Sequence, residues 1–156
     1  MTKKRLAEEI KQGRPFRDKA TEAALGLLRT ANLLRRRAEA VTMREGLTLQ
    51  QYNILRILRG ARAPLPTMEI AARLVEQAPG ITRLVSVLEE RELLRREPWS
   101  GDRRQVLCQI TPAGLKLLER LDDAIDEYDS SSMGKLSEPQ IEQLIEFLEE
   151  IRDANE

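Results

Sequence analysis

The most restrictive stretch of this chain is "PGITRLVSVLEERELLRREPWSGDRRQVLCQITPAG", which runs from Pro79 to Gly114. Ile81, Leu84, Val85 and Leu88 fall at i, i+3, i+4 and i+7, the spacing of one buried stripe on a helix. The period then changes. Val106, Cys108 and Ile110 alternate with Gln105, Leu107 and Gln109, and "LLRREPW" precedes them across "SGD". This predicts a two-stranded ribbon turning at Ser100–Asp102, with Val106, Cys108 and Ile110 facing inward. Thr111-Pro112 reads as the N-cap and first helical residue of a further helix.

The flanks are helical. From Phe16 to about Met43, Leu25, Leu28, Ala31, Leu34 and Val41 recur among charges, which predicts a long amphipathic helix. Gly46 closes it. Thr48 and Gln51 form a capping box for the next helix, with Leu47 stapled onto Tyr52. Pro64 and Pro66 set a loop. Thr67 is placed as the cap of a short helix carrying Ile70, Ala71 and Leu74, and a bend follows at Glu76–Gln77. Pro79 is expected in the first turn of the next helix, where its missing N–H does no harm. Beyond the ribbon, Leu118, Leu121, Ile125 and Tyr128 form a helix face and "DSSSMGK" reads as a polar linker. A second staple and capping box, Leu136 to Ile141, opens the last helix. The expected fold is mainly α: about six helices and a two-stranded β-wing, in outline a winged helix-turn-helix.

Composition excludes more than it suggests. The chain has no histidine, which removes serine-type triads, histidine bases and most transition-metal sites. Its single cysteine, Cys108, cannot form an internal disulfide or a thiolate cluster. Its mid-strand position favours a small buried hydrophobe over a thiol sensor. There is no glycine-rich phosphate loop and no nucleophile beside a base, so neither an enzyme nor a cofactor is expected. No apolar run approaches the roughly 20 residues of a membrane span, and the basic N-terminus lacks the apolar core of a secretory leader. A soluble cytoplasmic protein with no membrane partner is the expectation. The 26 basic and 26 acidic residues cancel, but unevenly, with bases towards the N-terminus and acids in the tail.

Two features point to duplex DNA. Opposite its apolar stripe, the helix at Pro79–Arg91 carries Pro79, Thr82, Arg83 and Ser86, a face with no large apolar group and no acid until Glu90. Small polar residues at a helix N-terminus permit close approach to a groove, and free N–H groups there bind phosphate. Taken alone, the same face fits an ordinary solvated surface equally well. The ribbon tip shifts the balance. Arg103 and Arg104 follow the turn, and a protruding arginine suits the negative potential of a minor groove. Asp102 is spaced to accept a hydrogen bond from Arg104 and set its direction. The final helix bears Ile141, Leu144, Ile145, Leu148 and Ile151, a stripe broad enough to need a partner.

These residues carry a resemblance to the MarR family of bacterial winged-helix regulators. The segments "GLTLQQYNILRILRGA", "IAARLVEQAPGITRLVSVLEERELLRRE" and "GDRRQVLCQITPAGLKLL" match it in order, and the last holds the family's Asp-x-Arg and Thr-x-x-Gly at Asp102, Arg104, Thr111 and Gly114. The resemblance implies a homodimer with intertwined terminal helices, residues 1–46 and 112–156, each subunit presenting residues 47–111 as a DNA-binding lobe. It implies a recognition helix in the major groove, Arg104 in the minor groove and Asp102 as its positioning partner. Gln77, Ala78, Pro79, Gly80, Thr82, Arg83, Ser86 and Arg103 complete the expected DNA contacts. Phe16 and the five apolar residues of the last helix are the expected dimer contacts. Repression and release by a small aromatic or phenolic effector are further implications. An effector cleft would draw on Leu28, Asn32, Arg36 and Tyr52, and nothing in the sequence fixes its ligand. A two-fold dimer would read a pseudo-palindrome with half-sites roughly 10 bp apart. The alternative is a winged-helix module for protein–protein contact. Two departures stand out: Glu92 occupies the family's glycine after the recognition helix, which predicts a shifted start to the strand, and Ala78-Pro79-Gly80 replaces polar residues.

Overall fold

A computed structural model describes residues 5–76 and 79–156, with Asp102, Arg103 and Arg104 described by backbone alone. The chain divides into two compact units, Met1–Arg37 and Ala38–Glu156. In the first, a single helical turn, α1 (Leu6–Glu9), packs Leu6 against Gly26 of α2 (Lys19–Thr42). One turn is too short to carry a periodic signal, so α1 was invisible to the pattern reading. The long helix begins at Lys19 rather than Phe16. The Asp18 carboxylate accepts the Thr21 N–H at 2.7 Å, a cap that nothing upstream offers. That bond is also the main reason the Asp18 carboxyl titrates below its ordinary range.

α2 ends in the second unit, where Ala38, Val41 and Thr42 are buried. A 3-10 turn, Met43–Glu45, closes on Gly46 at φ 67, a left-handed conformation suited to glycine. α3 (Leu49–Gly60) opens with the expected capping box: the Gln51 N–H donates to Thr48 Oγ1 at 3.2 Å, and the Thr48 N–H to Gln51 Oε1 at 3.0 Å. Leu47, Tyr52, Ile54, Leu55 and Leu58 are all buried around it. Burying each such side chain stabilises the fold by roughly 1.5–3 kcal/mol.

The proline-rich segment contains a strand. β1 (Leu65–Pro66) pairs antiparallel with β3 (Asp102–Ile110), Leu65 opposite Cys108 and Pro66 opposite Leu107. Proline lacks a ladder donor, so it is tolerated here only because β1 is an edge. The sheet is therefore three-stranded, ordered β1-β3-β2, with β2 spanning Leu94–Trp99. The pairing holds Pro66 extended (φ −60, ψ 145) as N-cap of α4 (Thr67–Ala72), so Thr67 is the first helical residue and not the cap. Its hydroxyl lies 3.7 Å from Cys108 Sγ instead. α4 ends before Leu74, which packs on the core from outside the helix.

α5 (Ile81–Glu90) buries Val85 and Leu88 and rests Ile81 and Leu84 on the core, as the spacing predicts. α6 (Pro112–Met133) is capped by Thr111, whose Oγ1 accepts the Gly114 N–H at 3.1 Å. Gly114 is required: a Cβ there would run into Leu93 O. α6 absorbs most of the supposed polar linker. Ser131 donates back to Tyr128 O at 3.1 Å, and the partly buried Tyr128 and Met133 extend the apolar face past the serines. α7 (Glu138–Asp153) starts at Ser137, whose N–H donates to Gln140 Oε1 at 2.9 Å, and buries no residue.

Candidate nucleic-acid interface

The interface candidate comprises α5 and the hairpin that follows it. Gly80 at φ 88 is the N-cap of α5, and among the described residues no side chain caps this end. Pro79 therefore lies in the turn before the helix. A left-handed residue cannot continue a right-handed helix upstream, so the helix starts at Ile81, where the stripe begins, and not at Pro79 as expected. Arg83 and Leu84 donate their N–H groups to Gly80 O at 2.9 and 3.2 Å. Pro79, Gly80, Thr82 and Arg83 are exposed, while Ser86 is partly buried. The first turn holds no acid. Gln77 and Ala78 lie outside the described residues.

At the far end of α5, Glu92, which stands where the family resemblance implies glycine, takes the left-handed conformation itself, at φ 58. The Glu92 N–H donates to Glu89 O at 2.8 Å and the Leu93 N–H to Leu88 O at 2.9 Å, the paired bonds of a Schellman motif. Leu88 and Leu93, both buried, provide its apolar contact. Arg91, just before it, donates to Gly46 O at 2.8 Å and Glu45 O at 3.3 Å, tying the end of α5 to the 3-10 turn.

The wing is fastened to α5 by one carboxylate. Glu89 accepts from Arg96 Nε at 2.7 Å and from the Arg96 backbone N–H at 3.1 Å. The Arg96 guanidinium holds the Glu89 carboxyl below the usual carboxylate range, and Glu89 in turn raises Arg96. Periodicity could not reveal this pair, because it joins a helix face to a strand face. Along the hairpin Arg95 donates to Gln109 across the ladder at 2.6 Å and lies 3.4 Å from Glu97. Trp99 pairs with Asp102, but Pro98 pairs with Val106. Arg103, Arg104 and Gln105 thus stand unopposed in a bulge, and Ser100-Gly101 makes the turn. Bulges of this kind bend a strand and re-aim its side chains. Of the predicted inward residues, Cys108 is fully buried and Ile110 partly so, but Val106 is 37% exposed because the wing runs past the core.

Helix and wing share a cleft of about 260 Å³. Thr82, from the outward face of α5, lines it together with Arg96, Gln105 and Val106 of the wing and Thr67 and Met68 of α4. The polar face of α5 and the strand just beyond the basic pair therefore open on one side of this unit. Met68, 76% exposed, carried no sequence signal as a surface residue.

Other expected sites are placed as follows. Burial pushes the Cys108 thiol up, away from the reactive thiolate. On α7, Ile141, Leu144 and Leu148 are partly buried, and Ile145 and Ile151 are exposed. Phe16 is partly buried in the first unit. Leu28, Asn32 and Arg36 are exposed there, whereas Tyr52 is buried in the core of the second. Among the described residues no cluster of metal-ligating side chains occurs, and no helix is long and apolar enough to cross a membrane.

This arrangement has known counterparts. The MarR family model matches residues 45–105. The transcriptional repressor NicR of Pseudomonas putida is 31% identical over 110 residues, 70% of this chain and 69% of NicR. The crystal structure of a MarR transcription factor from Planctomyces limnophilus is 34% identical, covers 86% of this chain and 98% of its own, and superposes with a TM-score of 0.66. The MepR–DNA complex of S. aureus is 25% identical, covers 82% and 95%, and superposes at 0.75. The matched segment runs from the 3-10 turn into the start of β3 and takes in all of the cleft lining but Val106, and at this identity and coverage the chain belongs to the MarR family of helix-turn-helix transcriptional regulators.

Proposed function

We propose that the protein is a homodimeric repressor that reads a pseudo-palindromic duplex. In each subunit the N-terminus of α5 enters a major groove, presenting Thr82, Arg83 and Ser86. The wing tip enters the adjoining minor groove with Arg104, steadied by Asp102, and Arg103 contacts the backbone. Gln77, Ala78, Pro79 and Gly80 form the approach to the helix end. Residues 47–111 act as the DNA-binding lobe, and residues 1–46 and 112–156 pair the subunits. A small aromatic or phenolic effector releases the complex.

The observation that carries this reading is the shared cleft, which puts the outward face of α5 and the base of the basic wing tip on one side. The uncapped, acid-free start of α5 supports it, since exposed N–H groups and the helix dipole both favour a phosphate. The DNA-bound relative supports it by fold.

The test starts with selection of bound duplexes from a random pool, followed by titration at several salt concentrations. Arg104→Ala is expected to weaken binding and to reduce the slope of log K against log salt by about one counterion per subunit. An unchanged affinity and slope would remove Arg104 from the interface. Partner capture that ignores salt and needs no duplex would favour a protein–protein module.

A further inference from the structure

Trp99, the chain's single tryptophan, is the last residue of β2 and borders the Ser100-Gly101 turn. Its ring lies over that turn. A Cβ added to Gly101 would sit 2.9 Å from Trp99 Cζ2 and 3.1 Å from Cε2. Glycine at 101 is thus what leaves room for the indole against the turn. Pro98, with its fixed φ, precedes it, and the bulge of Arg103 to Gln105 lies across the ladder. The ring still leaves Trp99 42% exposed. The ring is thus partly covered by the hairpin turn and partly open to solvent beside the wing tip. A large aromatic fixed in place yet half bare suits a contact, because little rotamer entropy remains to be lost when it is covered.

We propose that Trp99 is a second DNA contact of the wing, laying its free face on the deoxyribose wall of the minor groove beside the basic pair. This rests on the duplex binding proposed above. Charge complementarity selects the occupant: the same tip carries Arg103 and Arg104, and a polyanion with apolar sugar edges satisfies both kinds of side chain. The arginines supply attraction and salt dependence. The indole supplies apolar contact that salt does not weaken, and its N–H is a donor for a phosphate oxygen.

The lone tryptophan makes this directly readable. The probe is a duplex that the protein itself selects from a random pool. On saturation, indole emission is expected to shift and become shielded from iodide quenching. Trp99→Ala is expected to lose about five- to tenfold in affinity with an unchanged salt slope, and Trp99→Phe to recover part of it. Trp99 lies outside the core, so circular dichroism should match the parent. If gel shift shows the duplex bound while emission and quenching stay as in the free protein, the inference is overturned and the DNA reading stands. The same holds if Trp99→Ala weakens binding without any such optical change, because the ring then only shapes the turn. If the parent chain binds no duplex, both readings fall together.

Discussion

At Glu92 the backbone adopts φ 58 with a full side chain attached. The left-handed region costs an L-residue roughly 1–2 kcal/mol, because Cβ approaches the carbonyl oxygen. The Schellman bonds and the burial of Leu88 and Leu93 outweigh that cost, so the turn keeps its geometry. Glu92→Gly removes the clash but adds about 0.5–1 kcal/mol of chain entropy in the unfolded state. A net stabilisation of about 0.5–1 kcal/mol is expected, read as a higher urea midpoint at unchanged m-value. The bond from Thr111 Oγ1 to Glu92 O at 2.7 Å uses only backbone at 92 and would survive. A lower midpoint would mean that the glutamate side chain has a role of its own. Gly114 shows the opposite case: Thr-x-x-Gly is visible as a motif, but its reason, the Leu93 carbonyl, appears only in the folded chain.

At the scale of elements, the angle between α5 and the wing depends on Glu89 and Arg96. The folded Glu89 carboxyl titrates below its ordinary value of about 4.3. In the window below that value the unfolded chain therefore takes up the proton first. The pair's contribution is complete above about pH 4.3 and is lost as pH falls through the depressed folded value. Glu45, held low mainly by its bond from Arg120 at 2.7 Å, behaves in the same direction. Glu89→Gln is expected to make the acid-side fall in urea midpoint shallower, and an unchanged fall would assign it to other carboxylates. In the same variant the wing is less firmly held, so duplex affinity at neutral pH should drop by about threefold or more. Helix identities were legible from spacing, because α3, α5 and α6 each bury a periodic stripe. Their ends were less so. Asp18, Pro66 and Gly80 set boundaries through single hydrogen bonds or single backbone angles, which periodicity does not record.

For the whole molecule the unexplained surface is apolar. α7 buries none of its residues fully, and it leaves Ile145 50% and Phe147 51% exposed. A solitary helix of this length is marginal in water, so its stripe must be covered to be worth forming. The proposed cover is a second copy. Ile145→Asp together with Leu148→Asp is expected to convert a dimer into monomers in sedimentation equilibrium. It should also cost more than about tenfold in affinity for a two-half-site duplex, since one lobe then binds alone. A chain that sediments as a monomer without these changes would remove the dimer. Twenty-six positive and 26 negative charges give no net attraction to DNA. Recognition would therefore rest on where the charges stand, with the basic wing tips towards the duplex and the acidic tail elsewhere in the sequence.

By itself the sequence determined the long amphipathic helices, where the hairpin turns and which chemistries are not expected, because those follow from residue types and short-range spacing. It also carried the family, through Asp102, Arg104, Thr111 and Gly114 in order. The tertiary structure alone decided that Leu65–Pro66 joins the sheet, that Glu92 bends left-handed, that Glu89 grips Arg96 and that Trp99 lies across Gly101. The first depends on a partner distant in sequence, and the others on a backbone angle or side-chain contact set by packing; none of these leaves a periodic trace in the chain.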